Sequence, residues 1–189
     1  MARFLSVLAF IILPSGFTLL PSGPVMAQDM PLGQLLLRGE QWKKVPASEK
    51  PSPPPPVILE AISDPRLRQP TCTVRTGHTL YAGYPQSRAL VAFTVGADNV
   101  PRHPAPYCPL RVKPGSPGVD VTALTVDREG RLYAATSLGI QVFDPTGRLC
   151  GVLTTPAGRV DVLAFENDQL TLWIGEQKYT RRLNTRGVE

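Results

Sequence analysis

The sequence predicts an all-β fold, a partial β-propeller of about two and a half to three four-stranded blades that follows a signal peptide and a proline-rich linker. From Gln69 onward, short runs rich in β-branched and aromatic residues alternate with Gly, Asp, Pro and Asn, which is typical of strands and turns. A leucine–aromatic pair recurs as Leu80-Tyr81, Leu132-Tyr133 and Leu172-Trp173, at spacings of 52 and then 40 residues. A four-stranded repeat of about 40 to 50 residues indicates propeller blades, whereas a plain β-sandwich would not give this recurrence.

Eleven strands are predicted from these runs, because no segment here keeps a helical apolar period. Each leucine–aromatic strand follows an apolar strand and a polar turn, so the runs group into hairpins. The predicted strands are Thr71–Arg75, Thr79–Tyr84, Ala89–Val95, Tyr107–Val112, Val121–Asp127, Leu132–Thr136, Ile140–Asp144, Leu149–Leu153, Val160–Phe165, Thr171–Gly175 and Tyr179–Leu183.

Residues 1–27 have the pattern of an export signal. Arg3 supplies the positive start, Phe4–Leu13 is an apolar run, and Val25–Ala27 offers small residues to signal peptidase before Gln28. The apolar run is too short to cross a bilayer as a stable helix, although an uncleaved anchor is the alternative. We therefore expect an exported protein, periplasmic or extracellular, with no stable membrane span after cleavage.

The remaining chain divides by composition into three parts. Residues 28–45 form a short amphipathic N-terminal segment with Trp42 as its large side chain, and residues 69–189 form the partial propeller. Between them, residues 46–68 are predicted to be a linker, since six of the eleven positions from 46 to 56 are proline. Proline lacks an N–H group and fixes φ, which favours an extended spacer.

Charge and cysteine content exclude some functions. The net charge of +5 is scattered along the chain apart from Arg181-Arg182 near the C-terminus, so we expect no nucleic-acid binding. The odd count of three cysteines leaves at least one thiol unpaired in any disulfide scheme. We expect Cys72 on an innermost strand and Cys108 and Cys150 on the outer strands of different blades, too far apart to form a disulfide.

Parts of this pattern resemble a known family. Val121–Arg182 is similar to the last two blades of the gluconolactonase and regucalcin family, the senescence-marker-protein-like calcium-dependent lactonases, most closely over Leu124–Leu153. Leu80–Val95 resembles the preceding blade, and Leu37–Val45 resembles the lead-in to that family's first blade. The resemblance implies a propeller with six blades and a divalent metal on its axis. Six blades of about 45 residues exceed this chain, which supplies a partial, truncated version.

The resemblance also implies where metal ligands would lie. The family uses a Glu of the first blade, an Asn, and an Asp five residues before the Asp of a V-D-x-x-G turn. That turn is Val126-Asp127 here, so the Asp position holds Thr122, the Asn position falls near Gln69, and the Glu has no counterpart. Asp120 shares the strand face of Thr122 and is the possible substitute. We therefore expect a degenerate active site with no catalytic residues, no metal site and no cofactor.

Other chemistry-bearing residues have plainer explanations. Asp127 and Asp144 precede turns, where an Asp usually accepts hydrogen bonds from nearby backbone amides. His78 and His103 have no Ser or Cys placed to pair with them, so no nucleophile and base are predicted.

The expected function is an exported, gluconolactonase-like propeller module that acts in binding or assembly, without catalysis. The alternative is a calcium-dependent sugar-lactone hydrolase completed by oligomerisation. A further alternative is a truncated, non-functional gene product. Because an open run of blades leaves its two terminal faces uncovered, we expect self-association or another chain that completes the propeller. The alternative is that Leu32–Val45, with Trp42, folds back over one face while the other stays open.

Overall fold

The computed structural model describes residues 32–46, 50, 59 and 62–188. Within these residues the chain forms twelve strands and two short 3-10 helices, Leu32–Gln34 and Pro65–Leu67. The strands are β1 (Lys43–Val45), β2 (Cys72–Thr76), β3 (Thr79–Gly83), β4 (Ala89–Val95), β5 (Pro101–Pro109), β6 (Val121–Val126), β7 (Leu132–Thr136), β8 (Gly139–Phe143), β9 (Leu149–Leu153), β10 (Val162–Glu166), β11 (Gln169–Ile174) and β12 (Gln177–Arg182). The predicted signal peptide and most of the predicted linker lie outside the described residues.

The strands form three four-stranded antiparallel sheets, which confirms the predicted all-β partial propeller. Blade one has the order β2-β3-β4-β5, blade two has β6-β7-β8-β9, and blade three has β10-β11-β12-β1. The innermost strands pack side by side, β2 against β6 and β6 against β10. Blade two therefore has a neighbouring blade on each face, and blades one and three have one neighbouring blade each.

Turn chemistry sets the register of the innermost hairpins. Two-residue turns join β2 to β3 and β10 to β11, and Gly77 and Asn167 in them have φ of 54° and 58°. Hairpin turns of this length favour residues that accept positive φ, because their twist matches that of the strands. Blade two uses a longer turn, in which the Asp127 N–H donates to the Arg131 carbonyl at 3.1 Å.

Two strands of the structure differ from those predicted. The outer strand of blade one runs over Pro101–Pro109, whereas the sequence predicts Tyr107–Val112. Its prolines argue against an inner strand, but an outermost strand tolerates them because one of its edges needs no N–H partner. The other difference is β1, which was not predicted: Lys44 lies opposite Tyr179 and makes this N-terminal segment part of blade three.

Three hydrophobic clusters hold the blades together. One lies between blades one and two and contains Leu124, Phe143 and Cys108. A second lies between blades two and three, where the N-terminal Leu35 packs with the buried Tyr133 and others. The third lies on the free face of blade one, around Phe93. Neighbouring side chains of a strand alternate between the clusters on the two faces of its sheet: Leu132 and Ala134 belong to one cluster, and Tyr133 and Ala135 to the next.

The free face of blade one is covered from within the chain. Leu59 and Ile62, from the predicted linker, are 1% and 4% exposed and pack with Leu80 and Phe93. The expectation that blade one leaves an uncovered face is therefore wrong, because apolar residues of the preceding segment occupy it. On the side of blade three away from blade two, Trp173 is only 1% exposed.

The cysteines lie where the sequence predicts. Cys72 is on the innermost strand β2, and Cys108 and Cys150 are on the outer strands β5 and β9 of different blades. All three are free thiols. Within the described residues, no helix is long and apolar enough to span a membrane.

Candidate functional site

A cavity of about 350 Å³ lies where the three innermost strands begin. Each of β2, β6 and β10 contributes its first residues, so the cavity stands on the axis about which the blades are arranged. Its walls combine hydroxyl, charged and apolar side chains. The lining residues are Pro70, Thr71, Cys72, Thr73, Thr122, Ala123, Leu124, Arg159, Asp161, Val162 and Leu163.

Asp161 supplies the carboxylate that lines this cavity. It directly precedes β10, and its N–H donates to the Trp173 carbonyl at 2.8 Å, which fixes it as an extension of the strand. Its Oδ2 accepts a hydrogen bond from the Gly175 N–H at 2.8 Å and contacts the Lys50 ammonium at 3.2 Å. The same ammonium donates to the Gly175 carbonyl at 3.3 Å. The carboxylate is therefore already bonded to a backbone amide and a cation.

Thr122, which the sequence resemblance matches to a metal-ligating Asp, joins two blades in the structure. Its hydroxyl donates to the Val160 carbonyl at 2.6 Å, and the Ala135 carbonyl lies at 3.4 Å. This bond joins β6 of blade two to the segment that leads into β10. The Thr122 side chain is neutral, and its proton is used in holding two blades together.

Asp120, the possible substitute ligand, lines a second cavity of about 300 Å³. Its Oδ1 accepts a hydrogen bond from the Gln86 N–H at 2.8 Å, which ties blade two to a loop of blade one. Arg159 and Thr122 line both cavities, so the two are neighbours. Gln69, the other matched position, is exposed and directly precedes Pro70 at the rim of the first cavity.

The residues at this axis do not fit a calcium ion. A hard cation takes six to eight oxygen ligands, with carboxylates among them. Here Asp161 is paired with an ammonium, Asp120 bonds to a backbone amide in a separate cavity, and Thr122 directs its proton to a carbonyl. Among the described residues, no group of three or more Asp, Glu, His or Cys side chains is placed to hold a metal ion.

Cys72 is the thiol that lines the axial cavity. Its Sγ donates weakly to the Val121 carbonyl at 3.7 Å, and burial raises its pKa to about 12. A thiol with so high a pKa carries almost no thiolate at neutral pH, and the thiolate is the nucleophilic form. Cys72 therefore has the surroundings of a structural residue.

Asp127 and Asp144 cap their turns, as the sequence predicts. Asp127 Oδ1 accepts from the Glu129 and Arg131 N–H groups at 3.1 and 2.9 Å. Asp144 Oδ1 accepts from the Thr146 and Arg148 N–H groups at 2.8 and 3.1 Å. Both turns lie at the opposite ends of the strands from the axial cavity.

Asp127 also belongs to a buried network that sequence reasoning missed. Its Oδ2 accepts from Arg131 Nε at 2.6 Å and from the Tyr133 hydroxyl at 2.9 Å, and it lies 3.2 Å from the hydroxyl oxygen of Thr185, which donates its proton to the Glu129 carboxylate. Burial, together with the Asp127 charge, raises the pKa of Tyr133, which keeps the phenol protonated as a donor. Because Thr185 follows blade three, the network joins the C-terminal segment to blade two.

A repeated tripeptide in the sequence marks Asp161. The match of metal ligands by their distance from the V-D-x-x-G turn did not use it. Val119-Asp120-Val121 and Val160-Asp161-Val162 are the same tripeptide at a spacing of 41 residues. Each places an Asp directly before an innermost strand. No comparable signal exists for Lys50, because it lies in the predicted linker, outside the repeat, and meets Asp161 only in the folded chain.

Comparisons with known proteins find similar structures. No protein-family model and no curated protein matches the chain. A structural-genomics target described as a gluconolactonase is 23% identical, covering 59% of this chain and 37% of that one with a TM-score of 0.48. A gluconolactonase from Xanthomonas campestris is 28% identical, covering 56% and 34% with a TM-score of 0.44. A luciferin-regenerating enzyme is 16% identical, covering 59% and 43% with a TM-score of 0.47.

These matches define the extent of the likeness. The chain spans only 34% to 43% of the length of these three chains, while the matched part is 56% to 59% of its own. The solved structures similar to this chain thus include proteins described as gluconolactonases, and the likeness covers only part of each of them.

Proposed function

We propose that this protein is an exported, gluconolactonase-like propeller module that binds a small ligand in its axial cavity without hydrolysing it. The observation that carries the proposal is the state of Asp161, the carboxylate of the axial cavity, which is bonded to Lys50 and to the Gly175 amide. Metal-assisted hydrolysis needs an ion that polarises the carbonyl and activates water. A carboxylate that already has a cationic partner attracts a divalent ion less strongly.

The cavity has the chemistry of a small polar binding site. Threonine hydroxyls and the Arg159 guanidinium offer hydrogen bonds, and Leu124 and Val162 provide apolar surface. Its volume of about 350 Å³ lies at the lower end of the range usual for ligand pockets. These features support binding of a small molecule with both polar and apolar parts.

We place binding ahead of assembly because the chain covers much of its own terminal surface. Leu59 and Ile62 cover the free face of blade one, and Trp173 on the far side of blade three is almost fully buried. The need for a second copy, or for another chain that completes the propeller, is correspondingly smaller. Light scattering at tens of micromolar distinguishes the two roles. A monomer supports binding, and a stable dimer supports assembly.

Calcium titration and lactone hydrolysis test the absence of catalysis. We expect the full-length exported protein to bind calcium no more tightly than millimolar in calorimetry. We also expect no calcium-dependent proton release from a simple sugar lactone above a chelator-treated control. Asp120→Ala serves as the matched variant, because Asp120 is the remaining acid near the family's ligand position. Micromolar binding that Asp120→Ala abolishes would contradict the proposal and favour the lactonase alternative.

A further inference from the structure

Two opposite charges line the smaller cavity without pairing with each other. The cavity of about 300 Å³ that adjoins the axial one has both Asp120 and Arg159 in its wall. Both side chains are exposed. In the part of the chain that the structure describes, the Arg159 guanidinium has no hydrogen-bond or ion-pair partner, and Asp120 has no cationic partner. The cavity therefore offers an anion and a cation to a ligand at the same time.

The position of Arg159 is fixed by the residues on either side of it. Gly158 has a φ of 125°, a conformation that is accessible mainly to glycine. On the other side, the buried Val160 accepts at its carbonyl a hydrogen bond from the Thr122 hydroxyl at 2.6 Å. The backbone that carries Arg159 is thus attached to blade two, and its side chain lines both cavities.

Asp120 is held in place from the side of blade one. The Val119 N–H donates to the Ser87 carbonyl at 2.9 Å, and the Ser87 N–H donates to the Val119 carbonyl at 3.0 Å. The Gln86 N–H donates to Oδ1 of Asp120 at 2.8 Å, and the described residues place no donor on Oδ2. One carboxylate oxygen therefore anchors the side chain, and the other can accept from a ligand.

The other carboxylate near Arg159 already has a cationic partner. Asp161, in the axial cavity, contacts the Lys50 ammonium at 3.2 Å and accepts from the Gly175 N–H at 2.8 Å. A cationic group of a ligand is therefore attracted more strongly to Asp120 than to Asp161. An anionic group is attracted to Arg159, whose planar guanidinium matches a carboxylate in a bidentate pair.

The axial cavity adds an apolar surface beside these charges. Its apolar wall comes from Ala123, Leu124, Val162 and Leu163, and Arg159 borders both cavities. A molecule whose charged end lies between Asp120 and Arg159 can extend an apolar part along this wall. Removal of that part from water favours binding.

We propose that the ligand of this propeller module is a free α-amino acid with an apolar side chain. Its carboxylate binds the Arg159 guanidinium, its ammonium binds Oδ2 of Asp120, and its side chain lies in the axial cavity. A zwitterion of this kind satisfies both charges at once, whereas a sugar lactone carries neither. The inference rests on the proposed function and names the class of ligand for the same site.

Calorimetric titration of the full chain with L-leucine tests the proposal. We expect leucine to bind and three analogues to bind about tenfold more weakly or worse, because each lacks one recognised group. Leucinamide lacks the carboxylate, N-acetyl-leucine lacks the ammonium, and glycine lacks the apolar side chain. If leucine does not bind, or if either charged group can be removed from it without loss of affinity, the proposal is overturned.

Substitutions test the two residues to which the charges are assigned. Arg159→Gln and Asp120→Asn should each weaken leucine binding by about tenfold or more. Arg159→Gln should also bind leucine and leucinamide equally, and Asp120→Asn should bind leucine and N-acetyl-leucine equally, which a general loss of structure would not produce.

Matched controls make the same charge changes elsewhere. Arg38→Gln and Asp98→Asn alter exposed residues that line neither cavity, and they should leave leucine affinity unchanged. Native affinity in Arg159→Gln or Asp120→Asn would overturn the proposal and leave the proposed function standing. Micromolar calcium binding with lactone hydrolysis would instead overturn the proposed function.

Discussion

Blades two and three arise from the same repeat but reach stability by different means. In blade two, β7 and β8 are buried along their whole lengths, and the Asp127 turn is closed by a buried ion pair. In blade three, the outer strand β1 and the packing residue Leu35 come from the N-terminal segment. The equivalent turn, Asn167-Asp168, carries only a partly exposed pair between Asp168 and Arg182. A repeated sequence therefore fixes the strand arrangement, while contacts from outside the repeat decide what stabilises each blade.

The outer edge strands of the three blades are also protected in different ways. Prolines interrupt hydrogen bonding along β5 of blade one, and Lys43 and Lys44 place charge on β1 of blade three. Both are common ways to prevent an edge strand from pairing with another chain. Blade two instead has Leu32 of the N-terminal segment packed over Gly151 of its outer strand β9. Blade two is thus the blade most enclosed by other parts of the chain.

The largest expected effect of a single substitution is Asp127→Asn in blade two. Arg131 and Asp127 are 6% and 0% exposed, and their atoms Nε and Oδ2 are 2.6 Å apart. Breaking a buried pair usually costs about 3–5 kcal/mol, and the lower end of this range applies here because Arg131 keeps the half-exposed Glu129 carboxylate, at 2.7 Å, as a second counter-ion. We expect the free energy of unfolding in urea to fall by about that amount.

The matched control for this comparison is Asp168→Asn in blade three. Its partner Arg182 is 55% exposed and Asp168 is 35% exposed, so the pair should contribute about 0–1 kcal/mol. If the two substitutions destabilise the protein equally, the Asp127 pair is not the main stabiliser of the blade-two turn.

The second prediction tests how far blade three depends on the N-terminal segment. Leu35 is 2% exposed and packs among residues of blades two and three. Leu35→Ala should lower the free energy of unfolding by about 2–4 kcal/mol, because it removes buried methyl groups and leaves a cavity. Chemical denaturation measures the change, and Arg38→Ala, at an exposed position of the same segment, should change it by less than about 0.5 kcal/mol. An equal loss in both variants would show that Leu35 adds nothing specific to the junction.

Particular residues show how far the sequence predicts this fold. Most strand positions follow from β-branched runs and turn residues, since these depend on local chemistry. In blade three, the leucine–aromatic motif was matched to the wrong leucine. Leu80 lies one residue pair beyond the pair that closes the two-residue turn of blade one, whereas Leu172 lies three residue pairs beyond the closing pair of the equivalent turn in blade three. The residue equivalent to Leu80 is therefore Leu170. Leucines alternate along β11, so the motif alone did not fix the register.

The candidate site was less predictable for a physical reason. Thr122 and Asp120 were identified because they lie near a recognisable turn, and the structure places both at adjoining cavities. The partner of Asp161 is Lys50, which is 111 positions away in sequence and precedes the repeats. No local pattern encodes such a pair, because the contact exists only in the folded chain, where Lys50 of the linker meets blade three.

The third prediction concerns acid stability at the blade-two turn. The Thr185 hydroxyl, which donates to the Glu129 carboxylate, holds the pKa of Glu129 below its ordinary value. A carboxyl with a lowered folded pKa favours folding above its unfolded pKa of 4.5, and this contribution is lost as the pH falls through the lower, folded pKa. Unfolding measured from pH 6 down to pH 3 should show a smaller loss of stability in Glu129→Gln than in the native chain.

The variant that tests the cause of this effect is Thr185→Val, which keeps the Glu129 carboxyl and removes the hydroxyl that donates to it. It should show the same smaller loss of stability between pH 6 and pH 3 as Glu129→Gln. A native slope in Glu129→Gln would show that the Thr185 hydrogen bond does not couple folding to pH.

The smallest expected effect is in thiol reactivity, and it compares the two junctions of blade two. Cys72 and Cys108 lie at the junction with blade one, where burial raises the pKa of each thiol to about 12. Cys150 lies on β9 beside the N-terminal segment; burial raises its pKa too, but its side chain is half-buried. Because the thiolate is the reactive form and must be reached by the reagent, Cys150 should react first in the native protein and Cys108, which is 0% exposed, should react last.

Titration with an aromatic disulfide reagent in denaturant, without reductant, should count three thiols. A count of one would reveal a disulfide, and faster reaction of Cys108 than of Cys150 would mean that the junction of blades one and two opens more readily than the docked N-terminal segment.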